Sequence, residues 1–261
     1  MAGTSLERAL VALKLIERTP GGLRHADLSR ELSIPKSSCS YILARLEREG
    51  YVTREPTGGR YKLGLATVAL ARGALREIGV RSVAEPALYK LTGDTGLSAG
   101  IGVLQGGRVL LVDRVEGAGF VEAATAPRAQ YRVRTDRDIG RELPVHSTAL
   151  GKALLAHLPR ERVLELIAGH GLPRNTAKTI TSKTRFLAEL DQVRERGYAI
   201  ADAEEYNDLR ALAVPIFDID RTVRAAVSVN GHPKEPVWND LDDLVKKVEQ
   251  AGRDISRRAR F

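Results

Sequence analysis

Cysteine is almost absent from the chain. Cys39 is the single cysteine among 261 residues, which excludes an intrachain disulfide and a cysteine-rich zinc site. Long hydrophobic runs are also missing, since no apolar stretch approaches the roughly 18–20 residues that a membrane-spanning helix needs. The first ten residues carry Glu7 and Arg8 with no apolar run before them, unlike a secretory signal peptide. We therefore expect a globular cytoplasmic protein with no membrane partner.

The residue spacings that mark common catalytic and metal sites are missing as well. The glycines near positions 100 and 106 do not spell a phosphate-binding loop or a dinucleotide fingerprint. His146 and Ser147 are adjacent, but a catalytic triad needs a base that reaches the nucleophile and a third group that orients the base. The sequence predicts neither an enzyme nor a bound cofactor. No metal-site spacing, H-x-x-x-H or H-E-x-x-H, is found among His25, His146, His157, His170 and His232.

Positive charge is concentrated near the N-terminus. The chain has 41 Lys and Arg against 33 Asp and Glu, a formal net charge of +8. Residues 1–79 contain 13 of these cations and 8 of the acids, whereas the remaining 182 residues contain 28 and 25. This bias indicates a nucleic-acid contact in the N-terminal segment. Ordinary surface charge that keeps the protein in solution is the alternative explanation.

The N-terminal 64 residues show the pattern of a winged helix-turn-helix domain. Thr4 and Glu7 have the spacing of a capping box, and apolar residues then recur at helical spacing. Two helices at a steep angle let the second enter the DNA major groove. A small helical subdomain that packs on another protein is the alternative. The predicted elements are helices over 5–18, 25–32 and 36–49 and hairpin arms over 51–54 and 60–63.

The third predicted helix carries the candidate DNA-binding residues. Its apolar stripe runs from Cys39 to Leu46, and the opposite face bears short hydroxyls and cations with no acid near the helix start. Such side chains suit base edges and phosphates. With one cation from the hairpin, the predicted set is Lys36, Ser37, Ser38, Ser40, Tyr41, Arg45 and Arg60.

A helix within 65–79 is predicted to link this domain to a larger one. Its apolar stripe is suited to pairing with a second copy, although packing on its own domain is also compatible with the pattern. Residues 80–261 interleave short strands with helices, which predicts an α+β domain with a mainly antiparallel sheet. The predicted domains are thus 1–64, 65–79 and 80–261. The linker stripe consists of Leu65, Val68, Ala71, Leu75 and Ile78.

Three longer segments form a specific pattern when taken in their order along the chain. They are SIPKSSCSYILARLEREGYV with the following GGRYKLG, GRELPVHSTALGKALLA at 140–156, and RGYAIADAEEYNDLRALAVPIFD at 196–218. In this order they resemble the isocitrate-lyase-regulator (IclR) family of bacterial transcriptional regulators, and the resemblance covers nearly the whole chain. It implies a winged-helix reader joined by a helix to a GAF-like effector domain, in a protein that acts as a homodimer or a dimer of dimers on palindromic double-stranded operators. It also implies a response to small metabolites, often organic or aromatic acids.

The resemblance further implies an effector-binding pocket. Ala211 and Asn230 stand where some family members have Cys and Ser. The resemblance therefore implies a shared pocket but does not indicate which ligand this chain prefers. From the residues alone, alternation through 223–230 places Ser228 and Asn230 on one side of a strand, a side that is more often solvated. Carried over position by position, the pocket residues are Leu143, Ala149, Leu150, Asp202, Ala211, Ser228 and Asn230.

Two arginines precede the pocket loop at alternate positions. Arg132 and Arg134 would clamp a carboxylate bidentately, with ordinary surface arginines as the alternative. Together with the small Ala211, they predict a small carboxylic acid as the effector, aromatic or hydroxylated. The predicted function is a DNA-binding transcriptional regulator controlled by such an acid. The alternative is a small-molecule-binding or hydrolytic α+β protein with an N-terminal interaction domain.

Overall fold

The computed structural model describes residues 4–77, 79–117 and 139–259. The chain divides into two compact units, Met1–Glu77 and Ile78–Phe261, so the predicted linker helix falls largely within the first unit. In the described ranges, no helix combines the length and the apolar character needed to cross a membrane.

The first unit is a winged helix-turn-helix domain, as predicted. Its first helix begins at the expected capping box: the Glu7 N–H donates to Thr4 Oγ1 at 3.3 Å, and the Thr4 N–H donates to Glu7 Oε2 at 2.6 Å. The elements of this unit are α1 (Ser5–Arg18), β1 (Leu23–Arg24), α2 (His25–Glu31), α3 (Lys36–Arg48), β2 (Val52–Arg54), β3 (Arg60–Leu63) and α4 (Ala66–Glu77).

The wing contains a third strand that the sequence did not predict. β1 pairs antiparallel with β3, with Leu23 opposite Tyr61, and gives the sheet order β1-β3-β2. Gly22 precedes this strand with φ of +80°, and a Cβ built on it would lie 2.4 Å from the Tyr61 carbonyl oxygen. Glycine is therefore required there. A strand of two residues is too short to show a period in the sequence.

An apolar cluster shared by α1, α2 and α3 orients the third helix. Leu28, Cys39 and Leu43 are almost completely buried, together with Ile16 of α1. Burial raises the pKa of the Cys39 thiol, so this residue acts as a small apolar side chain. Because its apolar stripe is fixed in this cluster, α3 presents its polar side away from the core.

The second unit is an α+β domain, also as predicted, and its described strands pair antiparallel. Its helices and strands interleave along the chain, and they include a two-residue strand over 142–143 that the sequence did not predict. They are α5 (Val80–Thr95), β4 (Ser98–Gln105), β5 (Arg108–Val115), β6 (Glu142–Leu143), α6 (Ala149–Leu155), α7 (Arg160–His170), α8 (Lys183–Arg196), β7 (Ala199–Asp202), β8 (Arg210–Phe217), β9 (Val223–Gly231) and α9 (Leu241–Arg258).

The sheet of the second unit has the order β6-β5-β4-β9-β8-β7, and its side chains alternate between two faces. One face packs against α5 and α9, where a Cβ on Gly252 would lie 2.9 Å from Val214 Cγ2. The other face, called the α6 face below, packs against α6 and α8 through an apolar cluster that includes Ala199, Ala213 and Ala226. These small side chains allow α6 to lie close to the sheet.

Candidate DNA-binding and ligand-binding sites

The polar side of α3 is exposed along its length. Lys36, Ser37, Ser40, Tyr41 and Arg45 are exposed and Ser38 is half-buried, while the first turn contains no acid. The Arg45 guanidinium lies over the Tyr41 ring, 5.9 Å from its centroid. Six of the seven predicted DNA-binding residues therefore lie on one helix whose other side is buried in the core.

His25 joins this surface although the sequence analysis did not single it out. Its Nε2 lies 2.9 Å from Ser40 Oγ and 3.1 Å from the Lys36 carbonyl oxygen. The imidazole at the start of α2 thus contacts the first turns of α3. No sequence signal pointed to this contact, because it joins residues 15 positions apart on two different helices.

The cations of the wing already have partners within the unit. Arg60 is half-buried, and its Nη1 donates to the Gly22 carbonyl at 3.0 Å. Lys62 Nζ donates to Glu55 Oε1 at 2.8 Å, and this ion pair lowers the pKa of the Glu55 carboxyl. The Arg54 guanidinium lies 5.8 Å from the centroid of the Tyr61 ring. Arg60 therefore braces the wing and is only partly exposed.

Strand register places three of the predicted pocket residues on the α6 face. Ala211 is opposite Asn230, which is in turn opposite Ser98 on β4. In the next row of this face, Ala213 is opposite Ser228, and Ser228 is opposite Gly100. Since directly paired residues point to the same side of a sheet, the neutral hydrogen-bonding groups of Ser98, Ser228 and Asn230 share this face with small side chains.

Helix α6 and strand β6 bring three more predicted pocket residues to the same face. Ala149 and Leu150 form its first turn and are buried, and Leu143 on β6 packs against the same apolar cluster. Thr148 caps the helix, because its Oγ1 accepts from the Gly151 N–H at 3.2 Å. A Cβ on Gly151 would lie 2.3 Å from the Val145 carbonyl oxygen, so glycine allows the preceding loop to pass close to the helix.

Asp202 is the exception among the predicted pocket residues. Ala201 is opposite Ala211, so the period of two places Asp202 on the other side of β7, opposite Arg210. Its carboxylate forms an ion pair with Lys178 Nζ at 2.9 Å, and both side chains are substantially exposed. The structure therefore does not bring Asp202 together with Ser228 and Asn230. Arg132 and Arg134 lie outside the described residues.

A buried ionic cluster that the sequence analysis missed lies beside α6. Lys152 is 1% exposed, and its Nζ donates to Glu204 Oε1 at 2.6 Å and to the Ile200 carbonyl at 3.0 Å, with Glu189 Oε1 3.5 Å away. Burial raises the pKa of Glu204, while the Lys152 ammonium acts in the opposite direction. The sequence signal that could have indicated this cluster is Lys152 itself, a lysine within an otherwise apolar helix.

His146 and Ser147 do not form a nucleophile–base pair. His146 Nε2 donates to the Pro173 carbonyl at 2.9 Å, and burial lowers the pKa of the imidazole. Ser147 donates to Glu205 Oε2, which also accepts from Asn175 Nδ2 at 2.7 Å. Each side chain thus holds a different loop, and the geometry gives the hydrolytic alternative no support. Within the described ranges, no group of three or more His, Cys, Asp or Glu is arranged to hold a metal ion.

A winged helix-turn-helix unit followed by an α+β unit is the architecture of a two-domain transcriptional regulator, and the chain matches family models in both parts. Residues 5–56 match the IclR helix-turn-helix domain, and residues 72–257 match the bacterial transcriptional regulator IclR C-terminal domain. The chain is 31% identical over 253 residues to the HTH-type transcriptional regulator XynR of Escherichia coli (strain K12), covering 97% of this chain and 96% of that relative. The chain belongs to the IclR family of bacterial transcriptional regulators.

Solved structures share the fold. An IclR transcriptional regulator from Alicyclobacillus acidocaldarius aligns with a TM-score of 0.80 at 25% identity, covering 98% of this chain and 99% of that one. An IclR homologue from Microbacterium hydrocarbonoxydans, solved in complex with 4-hydroxybenzoate, aligns with a TM-score of 0.80 at 23% identity over 98% of this chain and 99% of that one. The predicted fold class is confirmed, and the family membership makes the chain a transcriptional regulator.

Proposed function

We propose that the protein binds double-stranded operator DNA through α3 and that a small effector acid bound in the second unit controls this binding. The observation that carries the proposal is the exposed side of α3, where hydroxyls and cations lie opposite the buried Cys39, Ile42 and Leu43. The proposal keeps 1–64 as the DNA reader, 65–79 as the connector and 80–261 as the effector domain. It requires no cofactor and no catalytic step, and it assigns the protein to the cytoplasm, where bacterial DNA lies.

Arg45 and Tyr41 are the side chains best suited to read bases. Both are exposed on the second turn of α3 and beyond, and a stacked guanidinium keeps its planar edge available for a guanine. Lys36, Ser37, Ser38 and Ser40 surround the helix start, where the positive end of the helix dipole also favours phosphate. Arg60 contributes by holding the wing and by its positive charge.

Replacing Arg45 by alanine is expected to weaken operator binding by about 1–3 kcal/mol, because a bidentate base contact is lost. The measurement is a gel-shift titration with DNA from upstream of the protein's own gene, at several salt concentrations, alongside a scrambled sequence. Arg253→Ala is the control, since it removes the same charge from the exposed surface of α9. Equal operator affinity for Arg45→Ala and wild type, with folding intact, would exclude α3 as the reader.

The proposed effector is a small carboxylic acid, aromatic or hydroxylated. Ala211 is half-buried opposite Asn230, and Ser228 and Asn230 offer neutral hydrogen bonds on the same face. The 4-hydroxybenzoate bound by the Microbacterium homologue has this chemistry, which supports the choice of ligand class. An effector alters DNA binding only if it has different affinities for the free and the DNA-bound protein.

Replacing Ser228 by leucine is expected to abolish effector binding, because the longer side chain fills the α6 face beside Ala213 and Gly100. Calorimetry with benzoates, hydroxybenzoates and short keto acids measures this effect. Ser82→Leu, on the exposed side of α5, is the matched control and should bind as the wild type does. Undiminished binding by a folded Ser228→Leu protein would place the ligand elsewhere.

A further inference from the structure

His25 places one imidazole nitrogen against two oxygens of α3. Its Nε2 lies 3.1 Å from the Lys36 carbonyl oxygen and 2.9 Å from Ser40 Oγ. A carbonyl oxygen can only accept hydrogen bonds, so an Nε2 without hydrogen would set its lone pair against those of the carbonyl. The two distances therefore assign the hydrogen to Nε2, which donates to both oxygens. A single N–H shared between two acceptors is a common arrangement at helix ends.

This arrangement decides what the Ser40 hydroxyl can do. Ser40 lies four residues after Lys36, and a serine within a helix can donate to the carbonyl four positions before it. Here that carbonyl already accepts from His25. Since Ser40 Oγ accepts from the same imidazole, its own hydrogen points to neither group. Ser40 is exposed, so this hydrogen remains available to an acceptor on a bound molecule.

The position of Ser40 on α3 indicates which part of the DNA it would meet. His25 is the first residue of α2, so Ser40 lies on the side of α3 next to α2. In a helix-turn-helix pair the second helix lies in the major groove while the first crosses the DNA backbone. Asp27, the acid in the first turn of α2, is paired with Arg30 at 3.3 Å. The side of α3 that carries Ser40 therefore suits a phosphate strand.

We propose that His25 is a positioning residue for DNA binding, which holds the Ser40 hydroxyl as a hydrogen-bond donor to a phosphate oxygen of the DNA backbone. This inference rests on the proposed function, in which α3 binds the operator. Without His25, the Lys36 carbonyl is free to accept the hydroxyl hydrogen, and the phosphate loses its donor. The contact is the same for every DNA sequence, because phosphate carries no sequence information.

The test is a double-mutant cycle on the full chain, with gel-shift titrations on the operator and on a scrambled sequence. Ser40→Ala is expected to weaken binding to both DNAs by about 3–10-fold, the value of one hydrogen bond. His25→Leu should cause a similar loss when Ser40 is present, and a loss below about twofold when Ser40→Ala is present as well. The salt dependence should not change, because a neutral hydroxyl displaces no counterion.

Two further variants separate positioning from a general support of the fold. His25→Gln keeps an N–H donor at a similar reach, since its side-chain Nε2 carries two hydrogens, and should bind DNA within about twofold of the wild type. His170→Leu is the matched control: His170 Nε2 contacts the Gly106 carbonyl at 2.8 Å in the second unit, and its replacement should leave DNA binding unchanged. Thermal unfolding checks that each variant folds.

An equal loss for His25→Leu with and without the Ser40 hydroxyl, or the same loss in His25→Gln, would overturn the positioning role. A flatter salt dependence in His25→Leu would overturn it too, because the imidazole would then act as a charge on phosphate. A loss confined to the operator would overturn the assignment to phosphate. If Ser40→Ala binds as the wild type does while Arg45→Ala is weakened, the role of His25 fails and α3 stands as the reader. If neither variant is weakened, the proposed function itself fails.

Discussion

Replacing Lys152 by methionine is expected to lower the free energy of unfolding of the second unit by about 3–5 kcal/mol at neutral pH. The substitution keeps the aliphatic volume but leaves Glu204, which is 8% exposed, without its ammonium partner at 2.6 Å. The Ile200 carbonyl also loses a donor. Urea unfolding followed by circular dichroism measures the change. A loss below about 1 kcal/mol would show that the buried pair does not stabilise the fold.

The loss caused by Lys152→Met should depend on pH in a defined direction. Burial already raises the pKa of Glu204 above its ordinary value, so the native state binds this proton more tightly than the unfolded state. Stability attributable to Glu204 therefore falls as pH rises above the ordinary glutamate range. Without the ammonium, this fall should be steeper, and the deficit of the variant should shrink under acid conditions, where Glu204 is neutral.

Lys178→Met is the matched control for that experiment. Its ammonium pairs with Asp202 at 2.9 Å, but both side chains are substantially exposed. Exposed ion pairs contribute about 0–1 kcal/mol, so this variant should remain within that range of the wild type. The two substitutions remove the same charge and add the same side chain, and their difference isolates the effect of burial.

Introducing a charge at Val68 is expected to weaken binding to a palindromic operator by about 10²–10⁴-fold, because the gain from holding two half-sites at once is lost. We propose that the protein is a homodimer that pairs through α4, as its apolar stripe predicts. Leu65 and Val68 are 84% and 61% exposed, and α1 leaves Leu6 and Leu10 exposed too. Apolar side chains exposed in such numbers mark an interface. The Leu75 side chain and Ile78, also in the stripe, lie outside what the structure describes.

The dimer prediction is checked by sedimentation and by two DNA probes. Val68→Asp should sediment as a monomer at micromolar concentration and bind a single half-site about as well as the wild type does. Ile219→Asp is the control, because Ile219 is 95% exposed on the turn between β8 and β9. A wild type that is monomeric under these conditions, or a Val68→Asp variant that remains dimeric, would contradict pairing through α4.

Local patterns were enough to predict most elements of the fold. The stripe of Cys39, Ile42 and Leu43 specifies both the existence of α3 and its exposed side, since helical periodicity is contained within a few turns. Likewise, alternation through β9 correctly placed Ser228 and Asn230 on the same side of the strand. The two-residue strand β1 was missed because its partner, not its own sequence, defines it.

Features that depend on register or curvature could not be predicted. Asp202 was grouped with Ala211, but the pairing of β7 with β8 puts them on opposite faces, and a shift of one residue would have reversed that result. The contact between Arg141 and Tyr206 spans 65 residues and requires the sheet to curl. Sequence periodicity carries no information about curl, so this contact had no local signal.

The short strand β1 has a mechanical consequence for regulation. Its last residue, Arg24, directly precedes α2, so the wing and the helix-turn-helix pair are covalently adjacent as well as bonded through Arg60 and Gly22. His25 then links α2 to α3. We therefore expect the proposed DNA-binding unit to move as a single body. In the proposed dimer, affinity for DNA would then depend on the distance and angle between two such units, which a palindrome of fixed half-site spacing measures directly.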